Sequence, residues 1–184
     1  MIGLFFKGVV IGIIVSSPMG PIGMLCIQRT LNKGRWNGFV TGLGAAMSDL
    51  IYAGITSLGM GMTLAFIQSY QEPIQFIGSI VVAIFGMYTF RSNPVRNLKK
   101  HKDVKTTYTH DFITAFLLTL SNALIVFLFI ALFARFRFIP TDYTFGMIAS
   151  GLLGICAGAL FWWYGVTYIV SKLKRWFNVR GLGL

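Results

Sequence analysis

The sequence predicts an all-α protein, a polytopic transmembrane helix bundle, and three observations carry that reading. Hydrophobic residues make up 55% of the 184-residue chain and charged residues only 11%, whereas a soluble domain carries about 25% charged residues. The apolar residues fall in long runs, and about 20 helical residues cross the hydrocarbon layer of a bilayer. The runs are too long and too uniform for the alternating strands of a membrane barrel. A lipid-exposed backbone must then satisfy its own hydrogen bonds, which makes each run a helix.

The first run covers residues 2–27. Lys7 near its start can extend its ammonium to the headgroups, and Ser16-Ser17-Pro18-Met19-Gly20-Pro21 interrupts its C-terminal half. The length of the run, the small basic charge before it and this proline-bearing stretch argue against a cleaved signal peptide. Arg29, Lys33 and Arg35 follow as a short basic loop. The second run, 36–58, holds one acid, Asp49, and a loop with Glu72 leads to the third run, 73–90. A polar stretch over 91–111 carries Arg91, Arg96, Lys99, Lys100, Lys102 and Lys105. It divides the chain into a first unit, 1–90, with three helices and a second unit, 112–184, with two helices and a basic tail. The fourth run covers 112–134, and Arg135, Arg137, Pro140 and Asp142 connect it to the fifth, 143–170. Lys172, Lys174, Arg175 and Arg180 lie in the tail.

The net charge of +11 does not indicate nucleic acid, because the basic residues sit between apolar runs, where the positive-inside bias places them. With the N-terminus outside, the Arg29–Arg35 loop, the middle stretch and the tail all face the cytoplasm, and only Lys7, Arg135 and Arg137 stay outside. The expectation is a multi-pass protein of the cytoplasmic (inner) membrane. Trp36, Trp162, Trp163 and Trp176 lie toward run ends and read as an interfacial belt. Cys26 and Cys156 lack CxxC spacing, and His101 and His110 read as solvated loop residues, so no metal or other cofactor is expected. No phosphate-binding Walker loop is present, and no nucleophile has a base beside it, which argues against an enzyme.

Four places carry polar chemistry inside the runs. Pro18 and Pro21 remove backbone donors and Gly20 permits unusual angles, so Ser17, Pro18, Gly20 and Pro21 should form an unwound turn whose free backbone groups meet a polar substrate. The plainer reading is a kink that serves helix contact. Asp49 is the only acid well inside an apolar run. A buried charge costs at least a few kcal/mol and normally faces a water-filled path or a partner, as a counter-ion, a proton carrier or an interhelical hydrogen bond. Tyr52, three residues on, shares its helix face. Ser121 and Asn122 bring polar side chains into the fourth run, and Asn122 both donates and accepts, which suits either a zwitterion or a neighbouring helix. Gly8 and Gly12, Gly38 and Gly42, and Gly154 and Gly158 show the spacing that lets helices approach closely, although 21 glycines produce such pairs by chance.

The two halves resemble each other. Ser16-Ser17-Pro18 sits in the first run where Ser121-Asn122-Ala123 sits in the fourth, and Thr41-Gly42-Leu43-Gly44 resembles Ser150-Gly151-Leu152-Leu153-Gly154. Three helices per half would invert the second half relative to the first. Such an inverted three-plus-three repeat with interrupted helices is the plan of many secondary transporters.

Three segments resemble the LysE/RhtB family of amino-acid exporters. They are Ser17-Pro18-Met19-Gly20-Pro21-Ile22-Gly23, Gly34-Arg35-Trp36-Asn37-Gly38, and Gly42-Leu43-Gly44-Ala45-Ala46-Met47-Ser48-Asp49-Leu50-Ile51-Tyr52. The resemblance is densest over about the first sixty residues, where order and spacing match the family's proline–glycine–proline turn, glycine–arginine loop and glycine-rich helix ending in aspartate and an aromatic. It implies proton-motive-force-driven export of amino acids or similar small metabolites, with Pro18, Gly20, Pro21 and Asp49 along the path. Met19 stands between Pro18 and Gly20, and Asn122 is followed by Ala123 where the family shows proline, which implies a milder second break. The family also has six helices, so the expectation here is a repeat with its last helix missing. A homo-oligomer would cover the face so exposed.

The expected function is therefore a secondary exporter whose partners are a small-molecule substrate, an amino acid, and the lipid bilayer. One alternative is a divalent-metal exporter, disfavoured because metal sites want clustered ligands and the membrane offers one acid and two dispersed cysteines. The other is a non-transporting membrane scaffold subunit.

Overall fold

The computed structural model describes residues 2–18, 20–62, 107–122, 124–138 and 144–180, with Phe76, Ile80 and Met87 as single helical positions. The third apolar run apart from those positions, the basic residues of 91–106, Met19 and the last four residues lie outside the described residues. The described elements are all helices: α1 (Ile2–Ser16), α2 (Pro21–Lys33), α3 (Arg35–Met62), α4 (Tyr108–Leu120), α5 (Leu124–Arg135) and α6 (Phe145–Arg180). Two stretches, Arg35–Gly59 in α3 and Phe145–Lys174 in α6, are long and apolar enough to cross a membrane by themselves. The pairs α1–α2 and α4–α5 reach that length only together, each bent at a short break, so the described residues supply up to four crossings.

The first break follows from its prolines. Pro18 has no N–H for the Ile14 carbonyl and Pro21 none for the Ser17 carbonyl, so the i→i−4 ladder fails twice in one turn. Helix α1 stops at Ser16, and α2 starts with Pro21 at its first position, where no donor is needed. The Gly20 N–H closes the turn on the Pro18 carbonyl at 2.8 Å, and the two helices meet at 82°. Gly20 itself has φ −74°, open to any residue, so the conformational freedom expected of it is not used. That freedom is needed at Gly34, where φ is +107° and one residue turns α2 into α3.

The second break, at Ser121-Asn122-Ala123, holds no proline and bends by 72°, against 82° at the first. After α4 the Asn122 N–H turns back to the Thr119 carbonyl at 3.0 Å, and the Asn122 carbonyl accepts from Ile125 N–H at 3.1 Å to start α5.

Contacts then fix the helix directions. A Cβ on Gly8 would overlap the Gly151 carbonyl, one on Gly12 the Ile155 carbonyl, one on Gly154 the Phe5 carbonyl and one on Gly158 the Val9 carbonyl. Residue numbers rise together on both sides, so α1 and α6 run parallel at backbone contact, and the small-residue spacing is their interface. Likewise Gly44, Ser48 and Tyr52 of α3 meet Phe112, Phe116 and Leu120 of α4 in rising order, so α3 and α4 are also parallel. Helices α2 and α3 form an antiparallel hairpin, with Gly38 against Cys26 and Thr30. Helix α6 crosses α3 antiparallel, with Trp163 on Gly42 and Tyr164 on Phe39. The core between α1, α5 and α6 is filled by Ile11, Phe129, Phe133 and Ile155, and Phe138 folds back to stack on Phe133 at 4.3 Å.

Three sequence expectations change. Arg29 and Lys33 belong to α2 rather than to a loop, which shrinks to Gly34. Helix α4 starts at Tyr108, so Asp111 and His110 belong to it and not to the polar stretch. Trp163 is 4% exposed, buried among Cys26, Ala45, Ala46 and Ala159, because Gly42 leaves room for an indole. It is no belt residue.

Candidate functional site

Helix α3 carries polar residues along its inner faces. Thr41, Ser48, Asp49, Tyr52, Thr56 and Ser57 are all buried. Most are used in helix contact. Ser48 Oγ donates to the Phe116 carbonyl at 2.7 Å, Tyr52 Oη donates to the Leu120 carbonyl, and Ser57 Oγ returns to its own helix at the Ala53 carbonyl, 2.7 Å. The hydroxyl predicted at Tyr52 to line a path thus holds α3 to the last turn of α4, beside the second break.

Asp49 differs. It is 5% exposed and has no ion pair or hydrogen bond with any described residue. Thr56 Oγ1 is buried and likewise without a partner. Gly42, Asp49 and Thr56 recur every seven residues, close to two turns, so they share a face. Trp163 covers that face at Gly42, about 10 Å along the axis from Asp49, and its Nε1–H is buried without an acceptor. At the end of α1, Ser16 Oγ is buried and without a partner as well. Buried polar groups are normally paired, so an acid, an indole donor and two hydroxyls without a described partner are exceptions to that rule.

The other predicted residues divide by exposure. Ser17, Pro18 and Gly20 are half-buried and Pro21 exposed, and the space a Cβ would take on Gly20 is open. Ser121 is exposed and donates to the Leu117 carbonyl of its own helix at 2.8 Å. Asn122 is half-buried, with only its backbone engaged at the break.

A second polar centre was not anticipated. Asp111 is fully buried and receives Arg29 Nε at 3.0 Å, Lys33 Nζ at 3.1 Å and Asn37 Nδ2 at 2.9 Å. Arg29 also donates to the Thr41 hydroxyl at 3.0 Å, the Asp111 carbonyl at 2.8 Å and the Thr114 hydroxyl at 2.7 Å. This cluster joins α2 and α3 to α4, and an arginine's forked donors suit such shared pairing. Its acid lies 82 residues from the arginine, and in the sequence it looked like the edge of a solvated stretch. Behind it, Cys26 is fully buried and donates to the Gly38 carbonyl at 3.3 Å. Among the described residues no three His, Cys, Asp or Glu side chains are grouped to hold a metal.

Residues 13–182 match the family profile described as LysE type translocator. A protein of Bacillus subtilis (strain 168) named "Putative amino acid efflux protein YcgF" is 24% identical over 190 residues, covering 97% of this chain and 87% of the relative. No solved structure matches significantly.

Proposed function

The chain belongs to the LysE type translocator family, and from that premise we propose that it is a secondary transporter exporting amino acids or similar small metabolites across the cytoplasmic membrane. As a translocator it moves its solute unchanged and is not an enzyme. The observation that carries the proposal is the unpaired, buried carboxylate of Asp49 on a spanning helix set between two broken ones. Carboxylates are rare in spanning helices and mark solute or proton paths. The amino-acid class is supported by the printed name of the Bacillus relative and by the donor–acceptor set, since a zwitterion offers an ammonium to Asp49 and a carboxylate to hydroxyl and indole donors.

In this reading Ser17, Pro18, Gly20 and Pro21 form one half of the path, Asn122 with Ser121 the other, and Asp49 with Tyr52 lies between them. An inverted repeat is supported by the helix pairs. Exchanging the halves turns the parallel pair α1·α6 into the parallel pair α4·α3, and each pair has glycine from the second helix of one half against the first helix of the other. The N-terminus lies outside and the Arg29–Asp111 cluster on the cytoplasmic side, where it ties the halves together and closes the inner entrance. Alternating access rocks the halves apart there, with the proton motive force as the drive.

Reconstitution of the chain in liposomes tests the coupling. An imposed proton gradient should accelerate movement of labelled amino acid at least several-fold over liposomes without one. Movement of equal rate with and without the gradient would leave a passive carrier in place of a coupled exporter.

A further inference from the structure

Arg35 opens α3 among rings. Its guanidinium carbon lies 4.3 Å from the ring centre of Tyr164, 5.1 Å from that of Tyr168 and 5.7 Å from that of Trp36. Stacking of this kind holds a guanidinium by its face and leaves the N–H donors in its plane. No carboxylate meets them among the described residues, where every ion pair is made to Asp111. Nη2 is buried without an acceptor, although the residue as a whole is only half-buried. The surrounding rings face outward, with Trp36 59% exposed and Tyr164 and Tyr168 each 49% exposed. On α6, Tyr164, Tyr168 and Lys172 follow at four-residue intervals, so exposed Lys172 stands one turn beyond Tyr168 on the same face of that helix. Lys174 bonds the Leu31 carbonyl, which fixes this end of α6 against the end of α2.

We propose that Arg35, Tyr164, Tyr168 and Lys172 form a headgroup site for one anionic phospholipid. The charge complement is a phosphate, with forked donors from Arg35 and a point charge from Lys172. The amphipathic rings place that phosphate at headgroup depth, where tyrosine and tryptophan prefer to sit, and their outward exposure directs the site to the bilayer rather than to the interior face of Asp49. The site lies apart from the transport path and needs only that α3 and α6 span a bilayer.

Relative lipid affinity at Trp36 tests it, read in liposomes of phosphatidylcholine as the quenching by brominated phosphatidylglycerol or brominated phosphatidylcholine that is lost in a Trp36→Phe chain. Phosphatidylglycerol should be preferred by at least fivefold, the weight of about one basic residue at an anionic surface. Arg35→Gln should bring the preference near one, and Lys172→Gln should lower it about twofold or more. Lys7→Gln, at the other end of the bundle, should leave it unchanged. Equal quenching by the two lipids, or a preference that survives Arg35→Gln, would overturn the site. So would full displacement by inorganic phosphate, which assigns it to free anions, or by amino acid, which assigns it to transport. If Arg35→Gln does not insert, Arg35→Lys decides, since loss of the planar fork should still cut the preference, and an unchanged value counts against the site.

Discussion

Asp49 and Asp111 are both buried acids, yet their surroundings differ. Asp111 is compensated by Arg29, Lys33 and Asn37, whereas Asp49 meets no charged or polar partner among the described residues. Removing one member of a buried ion pair leaves the other charge uncompensated and costs about 3–5 kcal/mol. Asp111→Ala should therefore lower stability by that order, and Arg29→Met with Asp111→Leu should restore most of it. Asp49→Asn should change stability little, because it breaks no described bond. Thermal unfolding in detergent measures all three, and an Asp49→Asn chain as unstable as Asp111→Ala would make Asp49 a structural residue. The sequence showed Asp49 plainly, as a lone acid amid apolar neighbours. It hid Asp111, whose neighbours in sequence are polar and whose partners lie 74 to 82 residues away.

At the scale of elements, the first break was legible because proline chemistry is local: Pro18 and Pro21 each remove a named ladder bond. The depth of the second was not, because it depends on Asn122 turning the backbone without any such marker. The glycine pairs were visible as spacing alone, and only the partner helix shows that Gly8, Gly12, Gly154 and Gly158 face one another. Trp163 was misjudged for the same reason, since a tryptophan near a run end looks interfacial until Gly42 across the bundle is known to receive it. The cluster at Asp111 has a consequence for motion between elements. It holds α4 over the α2–α3 hairpin, and Cys26 lies buried in that hairpin. If this contact is the inner gate, opening it exposes the thiol. In a Cys156→Ser background, Asp111→Asn should raise the alkylation rate of Cys26 by an impermeant maleimide at least tenfold, from the cytoplasmic side only. An unchanged rate, in protein shown to be folded, would mean that the cluster is a static clamp.

For the whole molecule, composition alone indicated an all-helical membrane protein, and the described helices and the family match bear out helices, membrane and transport. Direction and pairing of helices required three dimensions. The parallel packing of α1 on α6 and of α3 on α4 has no signature in hydropathy, which reports only that a segment enters lipid. At this scale Asp49 is the group proposed to meet the moving solute or proton. Cells loaded with dipeptides of lysine, arginine, threonine or leucine provide the most direct measurement, as the rate at which each amino acid leaves. The chain should speed the efflux of at least one of them over an empty vector, and Asp49→Asn, present in the membrane in equal amount, should lose at least 90% of that gain, about 1.4 kcal/mol or more. Full efflux from the Asp49→Asn chain would contradict the account.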